Sequence, residues 1–189
     1  MFHRRPAVKF LLENRPDHLL AVSGLGSSTW DLTAAGDDAR NFCFIGAMGQ
    51  AGAFALGLAM AQPDKRVVLF TGDGEILMSL GILATIANQA PRNLAVLVMD
   101  NESYVETGGQ PTATAGPTDL EAIARGAGIA TTRTVREESD LPALREFMLN
   151  EPGPVFANLK IISEALPLAF PHSFDGVTSF NRFRDAATT

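Results

Sequence analysis

Two short polar clusters about 25 residues apart, Gly72-Asp73-Gly74 and Asp100-Asn101, hold the groups best suited to chemistry in this sequence. Each follows an apolar run, so each falls just past the end of an expected strand. The Asp73 carboxylate and the Asn101 amide oxygen are hard donors. Magnesium takes about six such oxygens, usually one or two from the protein together with phosphate and water. Glycines on either side of Asp73 let the backbone turn and approach an anion, and the next helix begins with free N–H groups at Glu75 and Ile76. Together the clusters predict a clamp for a magnesium ion carrying a diphosphate. Either cluster alone is ordinary turn chemistry.

Such a clamp needs strands that end side by side. Short apolar runs predict strands at Leu19 to Ser23, Phe42 to Ile45, Val67 to Thr71, Leu94 to Met99, Ile129 to Thr132 and Val155 to Leu159. Helical patterns occupy Met48 to Ala61, Ile76 to Gln89, Asp119 to Gly126 and Leu141 to Asn150, with Asp119 and Asp140 placed as caps. Runs apolar on both faces suggest a parallel sheet. Alternation of strand and helix then gives an α/β fold: one doubly wound domain with a mostly parallel six-stranded sheet flanked by helices. In such sheets ligands bind beyond the carboxyl ends of the strands, where both clusters fall. The stretch from Glu102 to Thr118, rich in Gly, Thr, Pro and Ala, is long for a connection and reads as functional.

Composition sets the outer bounds. A chain of 189 residues, 46% hydrophobic, suits a single domain over 1–189 with a C-terminal tail from about 163 to 189. The net charge of -6 argues against a nucleic-acid surface, which needs clustered Lys and Arg. No signal peptide and no membrane span are expected, because Glu13, Arg15 and Asp17 interrupt the N-terminal region and the Met48 to Ala61 segment is short. The lone Cys43 sits in an apolar run and reads as a buried thiol in a cytoplasmic protein.

The two clusters resemble the thiamine-diphosphate motif, Gly-Asp-Gly followed some two dozen residues later by Asn-Asn, here with Asp100 in place of the first Asn. The resemblance implies that Asp73, Asn101 and the main-chain carbonyl of Ser103 hold Mg2+. Gly46-Ala47-Met48-Gly49 is similar to the segment that keeps the cofactor bent in these enzymes, with Met48 between the two rings and the Gly46 carbonyl on the aminopyrimidine. Thr107-Gly108-Gly109-Gln110-Pro111-Thr112 narrows the resemblance to the sulfopyruvate and phosphonopyruvate decarboxylases, more specifically to a beta subunit or a C-terminal half. Asn181-Arg182-Phe183-Arg184 is similar to the end of small subunits in that group. Gly26, Ser27 and Ser28 leave two readings open, a diphosphate contact or a plain strand-to-helix turn with a serine cap. Tyr104 likewise reads as a substrate or partner contact or as packing.

The resemblance reaches only the diphosphate-binding (PP) half of such an enzyme. Thiamine enzymes activate the cofactor with a glutamate on a pyrimidine-binding domain, and Glu75, Glu102 and Glu106 lie on the diphosphate side and read as solvated loop or helix-start carboxylates. The implied function is therefore the diphosphate-binding subunit of a heteromeric 2-oxo acid decarboxylase. A pyrimidine-binding (PYR-type) partner would complete the active site, and the chain alone would be inactive. A carboligase subunit and a non-catalytic assembly or regulatory subunit are the alternatives. Glu102 to Thr118 carries no Lys or Arg to select a sulfonate or phosphonate, so such a cation would come from the partner.

Overall fold

The computed structural model describes residues 1–44 and 46–189. Six strands form the central sheet: β1 Leu19–Ser23, β2 Asn41–Cys43, β3 Arg66–Gly72, β4 Leu94–Asp100, β7 Thr131–Val135 and β8 Val155–Lys160. Their order is β2-β1-β3-β4-β8-β7, and every pairing is parallel. A separate antiparallel hairpin joins β5 Ser103–Tyr104 to β6 Gln110–Pro111. The helices are α1 Arg4–Leu12, α2 Ser27–Ala34, α3 Ala51–Ala61, α4 Asp73–Leu77, α5 Gly81–Gln89, α6 Leu120–Gly126, α7 Leu141–Asn150 and α8 Gly176–Ala187. This is the doubly wound α/β architecture expected from the alternation of runs.

Strand periodicity divides the core. Leu19, Ala21, Val68 and Phe70 face one side with Val8, Leu11, Leu32 and Phe147, whereas Leu20, Val22, Val67 and Leu69 face the other with Ala55, Leu83, Ile86 and Leu120. Burying both faces explains why β1, β3, β4 and β8 read as unbroken apolar runs.

Several boundaries differ from expectation, each for a local reason. The helix expected from Met48 starts at Ala51, because Gly49 sits at φ +85 and cannot continue a helix. The helix expected over Ile76 to Gln89 is two, α4 and α5, separated by a turn at residues 78–80; α4 stays at the end of β3 while α5 packs on α3. Asp119 caps α6 by accepting from the Ala122 N–H at 3.0 Å, but Asp140 makes no side-chain cap, and a proline in the first turn opens α7 instead. The strand expected at Ile129 to Thr132 runs over Thr131–Val135. As an edge strand it is half-buried and polar, which weakens its signal. Ile45, the expected end of β2, lies outside the described residues. Cys43 is half-buried, less enclosed than expected. The tail is not all surface: α8 buries Phe183 and Ala187 in the core. Among the described residues, no helix is long and apolar enough to cross a membrane.

Candidate active site

The chain leaves β1 toward β2 on one side and β3 toward β4 on the other, so the sheet reverses its winding between β1 and β3. A crevice forms at such a point. In register, Gly72 of β3 pairs with Met99 of β4, which brings Asp73 and Asp100 to adjoining strand ends. The distance between the two clusters in sequence thus becomes a side-by-side placement in the fold.

Asp73 opens α4 and is 2% exposed. Its Oδ2 accepts from the Thr112 hydroxyl at 2.5 Å and lies 3.1 Å from the Thr114 hydroxyl. Thr114 Oγ1 also lies 2.8 Å from Asp100 Oδ1 and 2.9 Å from Thr112 Oγ1. The long Glu102 to Thr118 connection therefore folds back onto both carboxylates. Two hydroxyl protons serve two carboxylates and each other, so acceptors outnumber donors. Asp73 forms no ion pair among the described residues. Burial, opposed chiefly by the Thr112 hydrogen bond, pushes its carboxyl above the usual range. An acceptor-rich, buried carboxylate without a cation fits a metal site, and the oxygen donors around it suit a hard ion such as magnesium. Among the described residues no trio of His, Cys, Asp and Glu converges, so an ion here would rest on mixed carboxylate, amide and carbonyl oxygens.

Asn101 follows β4, and its Oδ1 accepts from the Ser103 N–H at 3.0 Å, a tight turn that aligns the amide with the start of β5. Asp100 is buried and paired: Lys160 Nζ lies 2.7 Å from its Oδ2, and the Asn158 amide donates to the same oxygen at 3.0 Å.

Glu75 is a helix-start carboxylate in the first turn of α4, as expected, but at 4% exposed it is buried rather than solvated. It accepts from Leu25 N–H at 3.0 Å, Thr71 Oγ1 at 3.1 Å and Gly49 N–H at 3.3 Å, tying together the segments that follow β1, β2 and β3. Burial raises its carboxyl above the usual range, opposed by these donors, the Thr71 hydroxyl first. Gly24 is required beside it, since a Cβ there would overlap the carboxylate. Gly74 is required for a different reason: a Cβ would overlap the Tyr104 ring, which packs on it. Gly72, by contrast, has ordinary extended geometry at φ -95, and nothing of the protein lies within 4 Å of where its Cβ would be. Its value there is open space on the crevice side rather than a sharp turn.

A cavity of about 330 Å³ gathers most of the expected residues. Gly26, Ser27 and Ser28 line it from the start of α2, Gly72, Asp73, Gly74 and Glu75 from the β3 end, Asn101, Ser103 and Tyr104 from the β4 side, and Met48 from the segment before α3. Gly46 and Ala47 instead line a neighbouring cavity of about 510 Å³ with Cys43, Phe174 and His172. Ile76 points into the core, so only its backbone is available to a ligand. No serine caps α2: Gly26 is its N-cap, and the Ser27 hydroxyl donates to Glu106 at 2.8 Å. Glu106 also accepts from Trp30 Nε1 at 3.4 Å, so the 3-10 turn Val105–Thr107 in the long connection is latched to α2. Sequence reasoning missed Lys160, Thr114, Trp30 and Arg4, and named Thr112 only within the 107–112 motif, without its contact to Asp73. Only Lys160 carried a local signal, a cation ending an otherwise apolar buried strand.

Residues 26–159 match the family described as thiamine pyrophosphate enzyme, C-terminal TPP binding domain. The chain is 41% identical over 127 residues to sulfopyruvate decarboxylase subunit beta of Methanocaldococcus jannaschii, covering 67% of each chain. It is 35% identical over 190 residues to phosphonopyruvate decarboxylase of Streptomyces hygroscopicus, which accounts for 98% of this chain but 46% of that one. A solved structure of 2-oxoglutarate:ferredoxin oxidoreductase from Magnetococcus marinus shares the fold with a TM-score of 0.72 at 20% identity, over 94% of this chain and 66% of that one.

Proposed function

Because the chain belongs to the thiamine pyrophosphate enzymes through their C-terminal TPP binding domain, we propose that it is the diphosphate- and magnesium-binding subunit of a heteromeric thiamine-diphosphate-dependent 2-oxo acid decarboxylase. The observation that carries this reading is the buried, unpaired Asp73 carboxylate in a cavity wall shared with Asn101. Asp73, the Asn101 amide oxygen and the Ser103 carbonyl would hold Mg2+. The backbone N–H groups of Glu75 and Ile76, with Gly26, Ser27 and Ser28, would receive the diphosphate. Met48, supported by Gly46 and Ala47, would hold the cofactor bent, and Tyr104 would close the wall over Gly74. When bound, the cofactor supplies the electron sink that lets a small 2-oxo acid lose carbon dioxide.

The relatives named as beta subunits support a partner chain. This chain's own carboxylates do not offer the activating glutamate. Glu75 is consumed by three donors, Glu102 pairs with Lys160, and Glu106 binds Ser27. We therefore place that glutamate on a PYR-type partner, and expect the chain to be inactive without it. The test is calorimetric titration of thiamine diphosphate into the assembled complex, with and without magnesium. Wild type should bind in a magnesium-dependent manner, and Asp73→Ala should weaken binding by about 100-fold or more. Unchanged affinity in Asp73→Ala would sink the proposal.

A further inference from the structure

Asn101 is flanked by two carboxylates that share one cation. Lys160, the last residue of β8, is 6% exposed; its Nζ lies 2.7 Å from Asp100 Oδ2 and 2.7 Å from Glu102 Oε1. The sheet register makes this possible by pairing Asp100 with Lys160 across β4 and β8. Glu102 stands at φ +59, a left-handed conformation that residues other than glycine and asparagine rarely hold. Among the described residues the only group bonded to its side chain is Lys160. The Glu102 N–H in turn donates to Asp100 Oδ1 at 3.2 Å, closing a small ring around Asn101.

Charge gives the arrangement a second purpose. The thiamine motif has a neutral asparagine where this chain has Asp100, and Asp100 adjoins Asp73 through the Thr114 hydroxyl. A second buried carboxylate there, unneutralised, would raise the cost of orienting the Asn101 turn and distort the oxygen set around Asp73. Lys160 does not line the cavity, so its effect reaches a ligand through its neighbours.

We propose that Lys160 is a positioning residue for Asn101, gripping the residues on both sides of it, and that the Asp100–Lys160 pair does the work of the asparagine in the thiamine motif. The inference rests on the clamp reading above and concerns how this chain builds that clamp. Removing the ammonium frees Glu102 from its left-handed turn and leaves the buried Asp100 without a counter-charge, held only by neutral donors. The Asn101 amide and Ser103 carbonyl then lose their fixed directions.

The test is calorimetric titration of magnesium and thiamine diphosphate into the assembled complex, with thermal melts of the same samples. Lys160→Met should weaken magnesium-dependent binding by about 10–100-fold, with a smaller change in kcat at saturating cofactor. Lys160→Arg, which keeps the charge, should bind better than Lys160→Met. Lys160→Met combined with Asp100→Asn should recover part of the lost affinity, the part owed to the uncompensated Asp100 charge rather than to the released Glu102. Where Lys160→Met alone does not fold, the double variant decides. Wild-type affinity in Lys160→Met, or a folded double variant that binds no better than Lys160→Met, overturns the inference. A wild-type complex that binds the cofactor without magnesium overturns the clamp reading, and this inference with it, before any variant is compared.

Discussion

At the scale of residues, Glu75 shows how one side chain binds three strand ends into a single unit. Among the described residues its carboxylate has no cation and relies on N–H and hydroxyl donors from the β1, β2 and β3 segments. Glu75→Ala strands the buried Gly49 N–H, at about 1–3 kcal/mol, and the part-buried Leu25 N–H at less than that. Chemical denaturation should show a loss of about 2–4 kcal/mol, and calorimetry a Tm lower by about 5–15 °C. Gly24→Ala should also destabilise, because its Cβ meets the Glu75 carboxylate. In the Glu75→Ala background that clash is gone, so the double variant should be less destabilised than the sum of the singles; strict additivity would show that Gly24 is required for another reason. The spacing of Asp73 and Asn101 made those two residues legible in the sequence. Glu75 was legible as a position but not as a buried hub, since its partners lie up to 50 residues away. Thr114 and Lys160 were invisible, and Thr112 was legible only as part of a motif, for the same reason: they reach Asp73 and Asp100 through a loop that folds back and through strand register.

Elements differ in how much of their placement is written locally. β3 and β4 are buried on both faces and announce themselves as apolar runs, whereas α1, α2 and α8 mix apolar and charged residues and were not read. β2 is three residues long at the sheet edge, and its entry is held by side chains rather than by burial. Arg15 and Arg40 each approach Asp38 to 2.7 Å, and Arg15 also donates to Asn41. The Arg40 hydrogen bonds, with Arg15 adding to them, hold the Asp38 carboxyl well below its ordinary value of 3.8. A carboxyl lowered in the folded state contributes stability that is present above about pH 4 and lost as pH falls below it. Asp38→Asn should therefore be less stable than wild type at pH 7, with the difference shrinking toward pH 2 in denaturation curves. A pH-independent difference would remove the ionised pair from the account. Because β2 leads into Gly46, Ala47 and Met48, loosening this edge should also reach the segment proposed to support the cofactor.

For the whole molecule, the C-terminal region carries an exposed apolar run that a folded monomer rarely leaves uncovered. Leu168, Phe170, Phe174, Val177 and Phe180 are each at least half exposed, beside the cavity that includes Gly46 and Ala47. Under the heteromer proposal this run meets the partner. Phe174→Glu with Phe180→Glu should abolish co-elution with the partner in size-exclusion chromatography while leaving the chain's own Tm within about 2 °C, since neither ring is in the core. Retained association would move the interface elsewhere. The doubly wound fold was readable from the alternation of runs, but this exposed run was not, because apolar residues outside regular periodicity look alike whether covered or bare. Trp30 stands where these two territories meet. It is the only tryptophan, lines the cavity that includes Asp73 and Asn101, bonds Glu106 of the overlying connection and contacts Phe170 edge-on at 5.7 Å. The protein thus carries a single tryptophan fluorophore, placed to report on a ligand entering from one side and on burial of the C-terminal run from the other. Quenching by the ligand and a blue shift on assembly would be separable in a single unlabelled sample.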